Sequence, residues 1–103
     1  MRHRHQENQG GEEVLTPRTT RHYRKDLQVA ARQGKPLDRL YEAQAFLIDE
    51  QPLPRSFRDH PLKGEWRGLR ELHLAPDWLL VYRVDGEDII FTRLGSHAEL
   101  FGE

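Results

Sequence analysis

Cysteine is absent from the 103-residue sequence, which excludes a disulfide framework and a thiolate zinc site. Long apolar runs are absent as well. The longest, Trp78 to Tyr82, is five residues, far short of the roughly 20 needed to cross a bilayer, so no membrane partner is expected. The start, MRHRHQENQGGEE, carries charge but no apolar h-region and does not read as a secretory signal. Apolar residues make up only 36%, enough for one sheet backed by two helices but not for a second core. Net charge is also missing, with 16 basic against 17 acidic side chains and a formal charge of −1. That balance argues against a protein that coats nucleic acid over its whole surface. Together these absences suit a small cytoplasmic protein.

What charge there is, is unevenly placed. From Arg18 to Arg39 there are seven basic residues (Arg18, Arg21, Arg24, Lys25, Arg32, Lys35, Arg39) against Asp26 and Asp38. From Arg55 to Arg70 there are five (Arg55, Arg58, Lys63, Arg67, Arg70) against Asp59 and Glu65. Basic stretches of this size are either ordinary solvated faces or surfaces for RNA phosphates.

Residues 1–13 have no apolar side chain beyond Met1 and contain Gly10–Gly11, so a flexible tail is expected, followed by one domain over residues 14–103. Val14 to Thr16 reads as a short strand, with Pro17 favouring an edge position. Thr19 or Thr20 can cap a helix running to about Gln33, with Tyr23, Leu27, Ala30 and Ala31 as its apolar stripe. Gly34 and Pro36 stop it. A second helix follows, striped by Leu37, Leu40, Tyr41, Gln44, Leu47 and Ile48, and Pro52 and Pro54 end it.

The period then changes. Residues 65 to 74 alternate as a strand, with Leu72 and Leu74 on one face and Glu71 and His73 on the other. Trp78 to Val84 is apolar on both faces, which suits a central strand. Asp85–Gly86 is a hairpin signal, and Ile89 to Leu94 forms the last strand. The expected fold is α+β, in the order β-α-α-β-β-β: a small antiparallel sheet with an N-terminal helical hairpin on one face. Trp66, Leu72, Leu74, Leu80 and Ile90 are expected to build that sheet.

Chemistry concentrates in residues 58–101. His60, His73 and His97 can each donate or accept a proton near neutral pH, since free imidazole titrates at about 6.5. Arg93, on the last strand, either pairs with Asp77 or Asp88 or presents its planar fork to a phosphate. Trp78 and Phe101 suit either the core or an unpaired base. The spacings among His60, His73, Asp77 and His97 match no metal-binding motif. Neither a metal nor any other cofactor is expected.

The segments DHPLKGEWRGLRELHLAPDWLLVY and FTRLGSHAELF, with RKDL upstream, resemble the YafQ branch of the RelE-like toxins, messenger-RNA endonucleases of bacterial type II toxin–antitoxin pairs. The resemblance spans about residues 15 to 102. It implies a RelE-like fold and a ribosome-dependent RNase without metal. In that reaction the 2′-hydroxyl attacks the adjacent phosphate, leaving a 2′,3′-cyclic phosphate and a 5′-hydroxyl. By resemblance the catalytic positions are His60, His73, Asp77, Arg93, His97 and Phe101. Arg58, Lys63, Arg67, Arg70 and Trp78 are then candidate RNA contacts. The implied partners are the ribosome, messenger RNA and a cognate antitoxin, a DNA-binding dimer with a tail that wraps the toxin. Two other readings of the same residues are an inactive binding module on this fold and a histidine-dependent metallohydrolase.

Overall fold

The computed structural model describes residues 14–102; the expected flexible tail over residues 1–13 lies outside the described residues. The chain runs through β1 (Thr16–Thr19), α1 (Arg21–Arg32), α2 (Leu37–Ile48), β2 (His60–Pro61), β3 (Arg70–Ala75), β4 (Trp78–Asp85), β5 (Asp88–Gly95) and α3 (His97–Phe101). Single 3-10 turns sit at Arg55–Phe57 and Gly64–Trp66.

Local chemistry sets the helix ends. Thr20 caps α1 by accepting from the Tyr23 amide at 3.0 Å, while its hydroxyl donates to the Thr92 carbonyl of β5 at 2.7 Å. One threonine therefore both starts the helix and fixes it to the sheet. Tyr23 and Ala30 are the buried residues of α1, and Gln44 of α2 donates to the Tyr23 hydroxyl at 2.6 Å. Tyr41, placed by periodicity in the α2 stripe, is instead 51% exposed. α3 opens with a capping box: Ser96 accepts from the Glu99 amide, and the Glu99 carboxylate accepts from the Ser96 amide.

The sheet has five strands in the order β1-β5-β4-β3-β2. β2 through β5 pair antiparallel, as the alternation and the Asp85–Gly86 turn require. β1 departs from the expected antiparallel sheet by running parallel to β5, with Thr16 opposite Asp88 and Thr19 opposite Phe91. The helical hairpin makes this possible by returning the chain beside its own start, where the Leu15 amide donates to the Ile48 carbonyl at 2.7 Å. At the edge of the sheet, Pro17 costs no ladder bond on its open side.

The sheet separates two unlike faces. Toward the helices, Leu72, Leu74, Trp78, Leu80, Tyr82, Ile89, Phe91 and Leu94 pack with Tyr23, Ala30, Leu40, Ala43 and Phe57. On the other face only a small apolar cluster forms, with Leu79 and Val81 covered by Leu100 of α3 and flanked by Leu62, Leu69 and Phe101. Register shifts interrupt β3–β4 between His73 and Ala75 and β4–β5 between Val81 and Tyr82. Such bulges re-aim side chains, and the first lies immediately beside His73.

Candidate functional site

The face away from the helices carries the polar residues of the C-terminal half. Cross-strand pairing sets His60 opposite Glu71, Glu71 opposite Val81 and His73 opposite Leu79. Directly opposed residues share a face, so Glu71 and both histidines rise beside the small apolar cluster. α3 then brings His97 and Phe101 over the same surface.

Glu71 is the organising group. It is 5% exposed, and one oxygen, Oε2, meets the Nε2 atoms of three histidines: His60 at 3.0 Å, His73 at 3.6 Å and His97 at 3.9 Å. A buried carboxylate needs compensating donors, and the nearest of the three imidazoles, His60, lies within hydrogen-bond reach at 3.0 Å. The rings follow one another in a row, with centroid separations of 6.0 Å for His60–His73, 6.0 Å for His73–His97 and 6.2 Å for His97–Phe101. The row ends on Trp66, edge-on to Phe101 at 5.1 Å.

Asp77 fixes His97 twice. One carboxylate oxygen accepts from the His97 amide at 3.0 Å and lies 2.9 Å from His97 Nδ1. These bonds, the amide first, hold the Asp77 pKa below its usual value. An ionised carboxylate only accepts. His97 Nδ1 therefore carries the hydrogen, and its Nε2 faces the cleft. His73 is held differently. Burial, the larger cause, and the nearby Arg58 charge push its pKa below that of free imidazole against the opposing pull of Glu71. Neutral His73 is the favoured form in this setting.

The sequence-derived residues separate into three groups. His60, His73, Asp77, His97 and Phe101 come together. Arg93 does not join them: its Nε and Nη2 lie 2.8 and 3.2 Å from the Asp26 carboxylate of α1, which also accepts from the Leu94 amide. Its partner is Asp26 rather than Asp77 or Asp88, because Asp77 is engaged by His97 and Asp88 by Arg18. Trp78 is 2% exposed in the helix-side core, which removes it as a stacking surface.

Among the proposed RNA contacts, Arg58, Lys63 and Arg67 are exposed. Arg58 adopts a left-handed backbone with φ 51° and lines a hollow of about 240 Å³ with Arg39, Ser56 and His73. Arg70 instead grips Asp59 with two nitrogens, at 2.9 and 3.3 Å, and the Tyr82 hydroxyl donates to the same carboxylate. This triad ties the segment just before His60 to β3 and β4.

The sequence from residue 15 to residue 102 matches the family model described as "Bacterial toxin of type II toxin-antitoxin system, YafQ". The chain belongs to the YafQ toxin family. The "mRNA interferase toxin YafQ" of Escherichia coli K12 is 41% identical over 81 residues, covering 78% of this chain and 88% of that one. The crystal structure of the E. coli DinJ–YafQ toxin–antitoxin complex superposes with a TM-score of 0.80 at 37% identity, over 86% of this chain and 99% of that one. A metal-bound toxin from Helicobacter pylori gives 0.81 at 43% identity, over 85% and 100%. The RelE-like α+β fold expected from sequence is thus the fold of the YafQ family.

Two residues that the structure places beside the histidines, Glu71 and Trp66, carry no sequence motif of their own. The alternation of Glu71 with His73 along β3 points both into the same space. Trp66 was assigned to the sheet, yet it lies on the 3-10 turn and is 39% exposed. His60, Glu71 and His73 also present ligand atoms that all lie within 4.8 Å of one another, a spacing able to hold a metal ion.

Proposed function

We propose that this toxin is an mRNA interferase that cuts messenger RNA on the ribosome by acid/base catalysis from the histidine face. The observation that carries the reading is the convergence of three imidazole Nε2 atoms on buried Glu71, with Asp77 fixing the tautomer of His97. His73, held neutral by burial, takes the proton from the substrate 2′-hydroxyl. The freed oxygen attacks the adjacent phosphorus, and His97 delivers a proton to the departing 5′-oxygen. The products are a 2′,3′-cyclic phosphate and a 5′-hydroxyl. Each positioned proton transfer contributes about 10²- to 10⁴-fold in rate.

Glu71 stabilises the imidazolium that appears during turnover and keeps the rings facing one another. His60, 3.0 Å from Glu71 through Nε2, borders the cleft on the β2 side, and Phe101 borders the reacting base. Arg58, in the hollow shared with His73, stabilises charge developing on the phosphorane oxygens. Arg93 acts through the scaffold, since its fork is filled by Asp26.

The cognate antitoxin would neutralise the toxin, as the DinJ–YafQ complex suggests by its name. We place this activity in the bacterial cytoplasm, where translation occurs; among the described residues no helix is long and apolar enough to cross a membrane. The test is expression in a bacterium without antitoxin, beside His73→Ala and His97→Ala. Wild type should arrest growth and both variants should not. Equal arrest by all three would remove the mechanism, and no arrest by wild type would favour a binding module.

A second reading rests on the His60–Glu71–His73 spacing and on the metal-bound Helicobacter pylori relative. Two imidazoles and a carboxylate are a fitting set for zinc or copper. These three residues would hold the ion, which when bound supplies Lewis-acid chemistry. In that state His60 and His73 would be engaged as ligands, leaving His97 with Asp77 to hold a proton. Cleavage that persists after thorough chelation supports the acid/base reading, and cleavage restored only by added metal supports this one.

A further inference from the structure

Beyond the histidines, the row of rings continues into a cleft whose outer wall, Leu62 and Trp66, the reaction above does not use. Leu62, Trp66 and Phe101 wall it, Glu71 and His97 close its inner end, and its volume is about 290 Å³. Trp66 is the anomaly. A tryptophan at 39% exposure leaves a large apolar ring in water on a chain with few apolar residues, while Trp78 is fully packed.

Backbone geometry keeps Trp66 there. Its turn lies between Gly64 at φ 65° and Gly68 at φ 98°, left-handed conformations that glycine adopts without penalty. The turn is closed by the Trp66 amide donating to the Lys63 carbonyl and by the Leu69 amide donating to the Trp66 carbonyl, both at 3.1 Å. Phe101 meets the indole edge-to-face, with interplanar angle 76°. That contact braces the indole and leaves the cleft lined by aromatic surface. Lys63 and Arg67 flank the same turn and are exposed, supplying positive charge beside it.

An aromatic wall, an imidazole at its inner end and cations at its rim form the combination that holds an unpaired base with its backbone. We propose that Trp66 and Phe101 form a base-stacking subsite, in which the nucleobase beside the scissile phosphate lies against the indole while its phosphate reaches His97. The inference rests on the RNase reading above. It assigns Trp66 to substrate binding, with Phe101 bracing it and Lys63 and Arg67 meeting the strand's phosphates.

The experiment is an NMR titration of the full chain with 2′-O-methyl RNA hexamers, which bind but have no free 2′-hydroxyl to attack. The two indole N–H signals are assigned with Trp66→Phe. The Trp66 signal should shift saturably while that of buried Trp78 stays. Trp66→Leu, which keeps the apolar bulk but loses the ring, should weaken binding by about 5- to 100-fold, the range for losing one base stack. Trp66→Phe should bind within about threefold of wild type, because a smaller ring still stacks.

Hexamer binding by Trp66→Leu equal to that of wild type would overturn the subsite. So would a variant impaired only in antitoxin binding, which would make the cleft a protein contact. Failure of the acid/base reading is distinguishable: His97→Ala would then cleave like wild type while Trp66→Leu still lost the hexamer.

Discussion

The two faces of the sheet divide the work. Toward α1 and α2 the sheet is sealed, with Leu40, Phe57, Leu72, Leu80 and Ile89 fully buried. On the other face the apolar cluster is small, and beside it three imidazoles gather around a buried carboxylate. Changes on the first face should therefore act on folding. Changes on the second should act on chemistry, because His73 and His97 line open hollows and none of the imidazoles belongs to either apolar cluster.

The sharpest way to break this division is to exchange the readouts. His73→Ala should lower cleavage by about 10²- to 10⁴-fold while leaving the thermal midpoint near wild type, as checked by single-turnover cleavage and calorimetry. Phe57→Ala should do the reverse, costing about 3–5 kcal/mol of stability for a fully buried aromatic in denaturant titration. Residual folded protein should retain the wild-type cleavage rate. A large stability loss from His73→Ala would erase the distinction.

Arg93→Ala sits between the faces. Removing the paired hydrogen bonds to Asp26 should cost about 1–2 kcal/mol, discounted because the side chain is 30% exposed. Asp26→Asn should lose stability similarly. If Arg93→Ala instead abolished cleavage at unchanged stability, the arginine would belong to the reacting face after all.

The smallest effect is on pH. The His73 pKa is lowered in the fold, so below about pH 6.5 the unfolded chain binds more protons than the native one and stability falls as pH drops. His73, the base of the proposed reaction, also stays neutral to lower pH than free imidazole. The acid limb of cleavage should accordingly lie below about pH 6.5. A limb above that value would assign the base to another group.

The order of elements was legible because its signals are local: Thr20 as a cap, Gly34 as a stop, the Asp85–Gly86 hairpin, and alternation along β3. The parallel contact of β1 with β5 left no trace, since Thr16 and Asp88 meet only through the return of the helical hairpin. β2 is two residues long and too short to show a period. In the site, His60, His73, Asp77 and His97 were visible by residue type and family resemblance. Trp78, open between core and cleft in the sequence, is buried, and Trp66, expected in the sheet, is exposed, because residue type alone does not separate a core ring from one held out on a glycine-flanked turn. Glu71 was hidden for a related reason. A glutamate on a polar strand face reads as solvated until His60 of β2 and His97 of α3 are seen to join its strand neighbour His73 around it.

That carboxylate is the centre of the account, and Glu71→Gln tests it most directly. The substitution keeps the shape and removes the carboxylate around which the three Nε2 atoms gather. Single-turnover cleavage on programmed ribosomes across pH should show a lower rate and an acid limb moved to lower pH, because imidazolium is no longer stabilised, with the fold intact by circular dichroism. A wild-type rate with an unmoved pH profile would contradict the claim that Glu71 organises the reacting histidines.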